Sequence, residues 1–148
     1  MQHSTWLTTV EEVLAWLGRF PIPFLDLLFR IGVGSVFFKS GLTKTANWTI
    51  TVSLFRDEYR VPVIPPEIAA YMATTLELVC PVLLLLGLAA RFGALALLGM
   101  TLVIQTFVYP ENWSEHLLWA SLLLYVLTRG PGPLSLDHLV ARAVLRRN

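Results

Sequence analysis

Residues 67–88, EIAAYMATTLELVCPVLLLLGL, combine the length of a membrane crossing with a carboxylate in its middle. About twenty mostly apolar residues let an α-helix cross a ~30 Å hydrocarbon core, and a spanning helix is predicted over 68–88. At ~1.5 Å per residue, Glu77 lies roughly 15 Å from the helix start, near the bilayer midplane. An ionisable group at that depth costs at least ~2.5–3.5 kcal/mol on insertion. Glu77 must therefore be paired, protonated or turned toward a cavity. The rest of the chain has to supply the partner or the cavity.

Composition places the whole chain in the same solvent. Of its 148 residues, 55% are hydrophobic and 14% charged, against roughly 45–50% and ~25% in soluble domains. The length fits one membrane domain over 1–148. A net charge of +1, with no basic stripe, argues against a nucleic-acid partner. Cys80 is the only cysteine, which excludes an internal disulfide and a CxxC couple. The amino terminus lacks the basic segment and small-residue cleavage site of a secretory signal, so no cleaved leader is expected.

The pattern predicts an all-α chain: a four-transmembrane-helix bundle with amphipathic interfacial helices at the amino and carboxy termini. Residues 4–20 space Trp6, Val10, Val13, Leu14, Leu17 and Phe20 as an interfacial helix does, with Ser4 or Thr5 as its cap. Pro21 and Pro23 end it. The first span, 24–45, carries Arg30, Lys39 and Lys44. Arg30, Gly34, Phe37, Gly41 and Lys44 form one packing stripe, with Lys39 on the opposite face. Arg30 points inward on this reading and is the first choice as partner of Glu77, while Lys44 is expected to snorkel to the interface. Residues 46–66 form an outer loop with a short interfacial helix over 51–59, from which Leu54 and Phe55 dip inward. Span two follows at 68–88, with Pro81 one turn after Glu77 and expected to kink it locally.

Span three, 92–109, has Ala90, Gly93, Ala96 and Gly99 as a ladder for close packing, with Gln105 as its strongly polar residue. Span four, 114–128, has His116 near its start. A cytoplasmic amphipathic helix over 135–147 closes the chain, with Ser135 as cap and Arg142, Arg146 and Arg147 at its end. Four spans put both termini on one side. That side holds six flanking basic residues (Arg19, Arg91, Arg129, Arg142, Arg146, Arg147) against three (Lys44, Arg56, Arg60), so both termini are expected in the cytoplasm.

RIGVG at 30–34, SGLTK at 40–44, ELVCPVLLLLGLAARFG at 77–93 and GPGPLSLD at 130–137, taken in their order and spacing, make the region 24–139 resemble the DoxX family of small four-helix integral membrane proteins. The resemblance implies a bacterial inner-membrane protein. The family takes its name from a membrane subunit of a thiosulfate-to-quinone oxidoreductase, and a distant branch looks like receptor-assembly helpers. The family's recurrent charged positions carry onto Arg30, Lys44, Glu77 and Arg91. A lone Cys80 departs from what a thiol relay would need.

Three functions stay open on these residues. The first is the membrane subunit of a redox system, with a quinone-like or lipidic ligand in a pocket bordered by Glu77 and Gln105; Arg30, Lys39, Lys44 and His116 complete the candidate set. The second is a non-catalytic anchor or assembly factor whose buried charges set helix register. The third is a small transporter or proton pathway. Quinone is the one cofactor candidate, and expected partners are the lipid bilayer and a soluble or membrane redox protein. Homo-oligomerisation is left open. No metal site is expected, because His3, His116 and His138 fall on different parts of the chain, and Cys80, Met72 and Met100 read as packing sulfur.

Overall fold

The computed structural model describes residues 3–145. Among them every regular element is a helix. In chain order these are α1 (His3–Gly18), α2 (Ile22–Ala46), α3 (Trp48–Leu54) running into a π-helical turn (Phe55–Tyr59), α4 (Pro66–Leu86), α5 (Ala90–Val103) running into a second π-helical turn (Ile104–Val108), α6 (Trp113–Arg129) and α7 (Leu136–Leu145). Arg146 and Arg147 of the basic-residue count lie outside the described residues, as do the side chains of Ser4 and Thr5.

Local chemistry fixes where these helices begin and end. Prolines open α2 and α4, where a missing N–H costs nothing because the first turn has no acceptor for it. Asn47 caps α3, its side chain accepting from the Ile50 amide at 3.1 Å. At the end of α4, Gly87 takes the left-handed conformation (φ 63°). The Leu88 and Gly87 amides then return to the Leu83 and Leu84 carbonyls, which closes the helix. A side chain at Gly87 would meet the Arg30 guanidinium at 2.6 Å as well as the Ser135 backbone at 2.9 Å, so glycine is required there for space as well as for φ.

Helix α2 lies along α4, α4 against α5, α5 against α6, and α6 returns to α2. Val33, Phe37, Cys80, Leu84, Ala94, Leu97, Leu123 and Val126 make the buried core between them. A smaller cluster, Phe55 with Ala69 and Ala70, seats the first π-helical turn on α4. Phe55 is buried as expected for a residue dipping inward, while Leu54 stays half-buried. Helix α4 continues through Pro81, which is buried against Gly34 of α2. The described side chains of α1 are all exposed, and its axis meets α2 at 62° across the Pro21 break.

The small-residue ladder on α5 is corrected by the packing. Gly93 does approach α4, 3.4 Å from the Cys80 carbonyl for an added Cβ, but Gly99 has nothing near it and is exposed. Three-residue steps fall short of the ~3.6-residue turn and rotate off the contact face. The face α5 buries is Ala90, Gly93, Ala94, Leu97 and Thr101.

Two helices are long and apolar enough to cross a membrane, Pro66–Leu86 and Ala90–Val108, and the bent pair Thr9–Gly18 with Ile22–Ala46 makes a third if it counts as one span. Helix α6, at 17 residues, reaches about 25 Å at ~1.5 Å per residue, a little less than a ~30 Å hydrocarbon core.

Candidate functional site

The bundle has two ends. At the proximal end α7 tucks under the α4–α5 turn; at the distal end α3 and the two π-helical turns meet. Each end holds a cation inside the bundle, Arg30 fully buried and Lys44 with 13% of its side chain exposed.

Arg30 is fully buried at the proximal end. Its guanidinium donates to the Leu84 carbonyl at 2.9 Å, to Leu85 at 3.2 Å and to Leu134 at 2.5 Å. Leu84 and Leu85 belong to the last turn of α4, where carbonyls can accept from outside the helix (Leu84 also takes the Gly87 amide at 3.1 Å), and a cation suits that end of the helix dipole. Arg30 therefore caps α4 and ties the 130–137 segment onto it. Asp26, also buried, accepts from the Tyr125 hydroxyl at 2.7 Å. Asp137 accepts from the Ala89 and Ala90 amides at 2.8 and 3.2 Å and caps α5. The GPGPLSLD segment is thus a structural strap.

The expected Arg30–Glu77 pair does not form. Glu77 lies seven residues before Leu84 on α4, about 10 Å along the axis, and its partner is Lys44. The ammonium sits 2.8 Å from Oε2 and 2.9 Å from Oε1 of Glu77, and donates to Ser40 Oγ at 2.8 Å. Ser40 Oγ in turn donates to Glu77 Oε1 at 3.1 Å. Lys44 does not snorkel outward: helical side chains lean toward the helix N-terminus, which turns Lys44 back along α2 and into the bundle. Gly41 makes the approach possible, since a Cβ there would stand 2.9 Å from Leu78 Cδ2 and 3.1 Å from Glu77 Cβ. The ammonium thus has two hydrogen bonds and an ion-pair contact inside the cluster, and Glu77 Oε2, met only by that contact, is left without a hydrogen bond.

Beside it opens a cavity of about 240 Å³. Ser40, Lys44 and Glu77 form one part of its wall, Phe37, Trp119 and His116 another, and Phe55, Tyr59 and Tyr109 lie toward its mouth. Phe37 meets Trp119 edge-on at 5.4 Å, and His116 lies 5.1 Å from Trp119. Gln105 is not on the wall; it stands behind His116, its Oε1 2.7 Å from Nδ1. Its amide nitrogen donates to the Pro110 carbonyl at 2.7 Å. Lys39 is exposed on the far face of α2 and takes no part.

At the mouth, Tyr109 donates to Glu58 Oε1 at 2.7 Å and packs edge-on against Tyr59 at 5.8 Å. The bond to the Glu58 carboxylate holds the Tyr109 hydroxyl well above the usual phenol range, with burial adding to it. Burial likewise pushes Tyr59 up. Both tyrosines sit at or just past the end of a π-helical turn, an irregularity found often at functional sites.

Of the sequence candidates, the structure brings together Lys44, Glu77, His116 and, one bond away, Gln105. It leaves Arg30 and Lys39 apart from them. Ser40, Tyr59 and Tyr109 were missed, as was Asp26 at the other end. Ser40 was legible as a hydroxyl one turn before Lys44, and Asp26 as an acid one turn before Arg30 inside a span; nothing local marked the tyrosines. Among the described residues no group of three or more His, Cys, Asp or Glu gathers to hold a metal ion.

The DoxX family model matches residues 25–110, which takes in Lys44, Glu77 and Gln105 but stops short of His116. An uncharacterized protein of Haemophilus influenzae is 30% identical over 128 residues, 78% of this chain and 83% of that protein. No solved structure matches the chain. With more than half of its length matched by the family model, the chain belongs to the DoxX family.

Proposed function

We propose that this DoxX-family chain crosses the bacterial inner membrane four times with both termini in the cytoplasm, and that its distal cavity receives the ring of a quinone-like molecule or a lipidic head group on behalf of a redox system. The observation that carries the reading is the cavity itself, about 240 Å³ beside a buried ion pair. An apolar cavity of ~150 Å³ holds benzene, and drug-sized ligands take ~300–1,000 Å³. The space suits one substituted ring, with any long tail left in lipid. Phe37 and Trp119 give the ring flat walls. Electrons come from or go to a partner protein. Helices α2 and α6 then complete a bundle with α4 and α5, and the six-to-three bias in basic residues sets its direction.

A ligand that binds only the folded state raises the melting temperature as its concentration rises. Purified protein in detergent, melted across a series of ring analogues, should show that rise, and Ala73→Leu, which fills the cavity wall, should abolish it. Equal shifts in both proteins would mean partitioning into the micelle and would remove the ligand site. The membrane direction is tested in a Cys80-free protein: an impermeant thiol reagent applied to intact cells should label position 113 and spare position 142.

A second reading, a non-catalytic anchor or assembly factor, is favoured by one feature. The Lys44–Glu77 pair and the Arg30 cage match their charges and donors within the bundle, as register-setting charges do.

A further inference from the structure

The cavity's polar groups differ in what they have left to offer. Lys44 donates to Ser40 and to Glu77 Oε1 and is held in ion-pair contact with Oε2, a carboxylate oxygen that has no hydrogen bond, and the Ser40 hydroxyl proton goes to Glu77. Tyr109 donates to Glu58, and Tyr59 shares a hydrogen bond with Tyr109. Asn112 and Glu115 are exposed at the rim, where water serves them. His116 differs in belonging to no ion pair among the described residues. It is 97% buried (3% exposed), its Nδ1 meets Gln105, and its Nε2 has no hydrogen-bond partner among the described residues.

Which ring nitrogen of His116 carries the proton follows from the groups behind it. The Pro110 carbonyl only accepts, so Gln105 must turn its NH₂ toward Pro110 and its oxygen toward His116. That oxygen also only accepts, so Nδ1 must be the nitrogen that donates. A neutral imidazole then presents a bare lone pair on Nε2. That lone pair is open to the cavity that His116 lines, where a donor on a bound ring can use it.

We infer that the Pro110–Gln105 chain holds His116 with its proton on Nδ1, so that the cavity selects a ring bearing a hydroxyl able to donate to Nε2, a phenol or hydroquinone, over acceptor-only rings of the same size. This rests on the cavity being a ligand site, and adds to that reading which form of the ring is held. Gln105 is a positioning residue: it touches His116 and acts on the ligand through it.

Two measurements test it separately. The first is ¹⁵N NMR of histidine-labelled protein in detergent, the His116 signals being assigned with His116→Gln. The expected spectrum has a proton-bearing Nδ1 and a pyridine-type Nε2, and Gln105→Leu should lose that preference while Gln105→Glu retains the proton on Nδ1. A proton on Nε2 in the wild type, or an imidazolium with protons on both, overturns the inference. The second compares melting-temperature shifts from a substituted hydroquinone, its dimethyl ether and the matching benzoquinone. The hydroquinone should give a shift several-fold larger than the other two, and Gln105→Leu should level the three. Equal shifts in the wild type overturn the selectivity and leave the ligand site standing. No shift from any of the three, with the Nδ1 proton in place, overturns the ligand site and the selectivity together.

Discussion

The two ends of the bundle hold a cation among packed helices, Arg30 wholly buried and Lys44 partly so, in opposite ways. At the proximal end Arg30 spreads its forked donors over backbone carbonyls from two segments, and the segments it ties are closed around it. At the distal end Lys44 is matched to one carboxylate and one hydroxyl, and the space beside them stays open. A second groove, about 220 Å³, does run between α2 and α4 past Arg30, Gly34 and Pro81, but Arg30 and Ser35 are its only polar lining residues. A planar fork suits several carbonyls and a point charge suits one carboxylate. The contrast separates a device for holding helices from a place where something else can bind.

The sharpest way to break the comparison is at Arg30. Arg30→Leu takes a donor from the partly buried Leu85 and Leu134 carbonyls and leaves Leu84 with the Gly87 amide alone; at roughly 1–3 kcal/mol for each carbonyl left short, the loss should be about 2–6 kcal/mol. Thermal or denaturant unfolding in detergent measures it. A loss no greater than that of an exposed substitution such as Lys39→Ala would show that the cage does not hold the proximal end.

Next in size is the ion pair. Glu77→Gln leaves Lys44 facing a neutral partner, and breaking a fully buried pair from one side costs roughly 3–5 kcal/mol. The Lys44 side chain keeps 13% of its exposure, so about 2–4 kcal/mol is expected. The double variant Lys44→Met with Glu77→Gln should be less destabilised than Glu77→Gln alone. If the double variant is instead worse by the sum of both singles, the two residues are not coupled.

Gly41 sharpens the comparison, because it sets the spacing on which the pair depends. Gly41→Ala forces a Cβ to within 2.9 Å of Leu78, an overpacking of roughly 1–3 kcal/mol. It should also weaken ligand-induced melting shifts, since α2 and α4 must part beside the cavity. An unchanged melting temperature would mean that Leu78 moves aside freely.

The smallest effect is at the mouth. Tyr109→Phe loses one hydrogen bond to an exposed carboxylate, about 1 kcal/mol or less. Its pH dependence carries the information. The folded-state value of Tyr109 is raised above the ~10 of an unfolded tyrosine, so its contribution is complete below pH ~10 and is lost as pH rises through the folded value. Melting curves from pH 8 to 11 should fall less steeply above pH ~10 in Tyr109→Phe. Identical slopes would show that the Tyr109–Glu58 contact is not kept in solution.

The sequence by itself determined that the chain is helical, apolar enough for a membrane, and burdened with a carboxylate that needs an answer. Those conclusions rest on hydropathy, period and proline placement, all local properties of the chain. It also narrowed the site to a few polar residues, because polar atoms are rare inside such helices and each one stands out. Only the tertiary structure decided how they pair. Matching heights along ideal helices put Arg30 opposite Glu77, but a side chain's reach depends on its tilt and on how closely the helices pack. Gly41 and the backward lean of Lys44 gave Glu77 to Lys44. The α4 carbonyls, invisible in any residue pattern, took Arg30. The same holds for His116: no spacing in the sequence tells which nitrogen carries the proton, because that is set by a proline carbonyl acting through Gln105 from another turn of the fold.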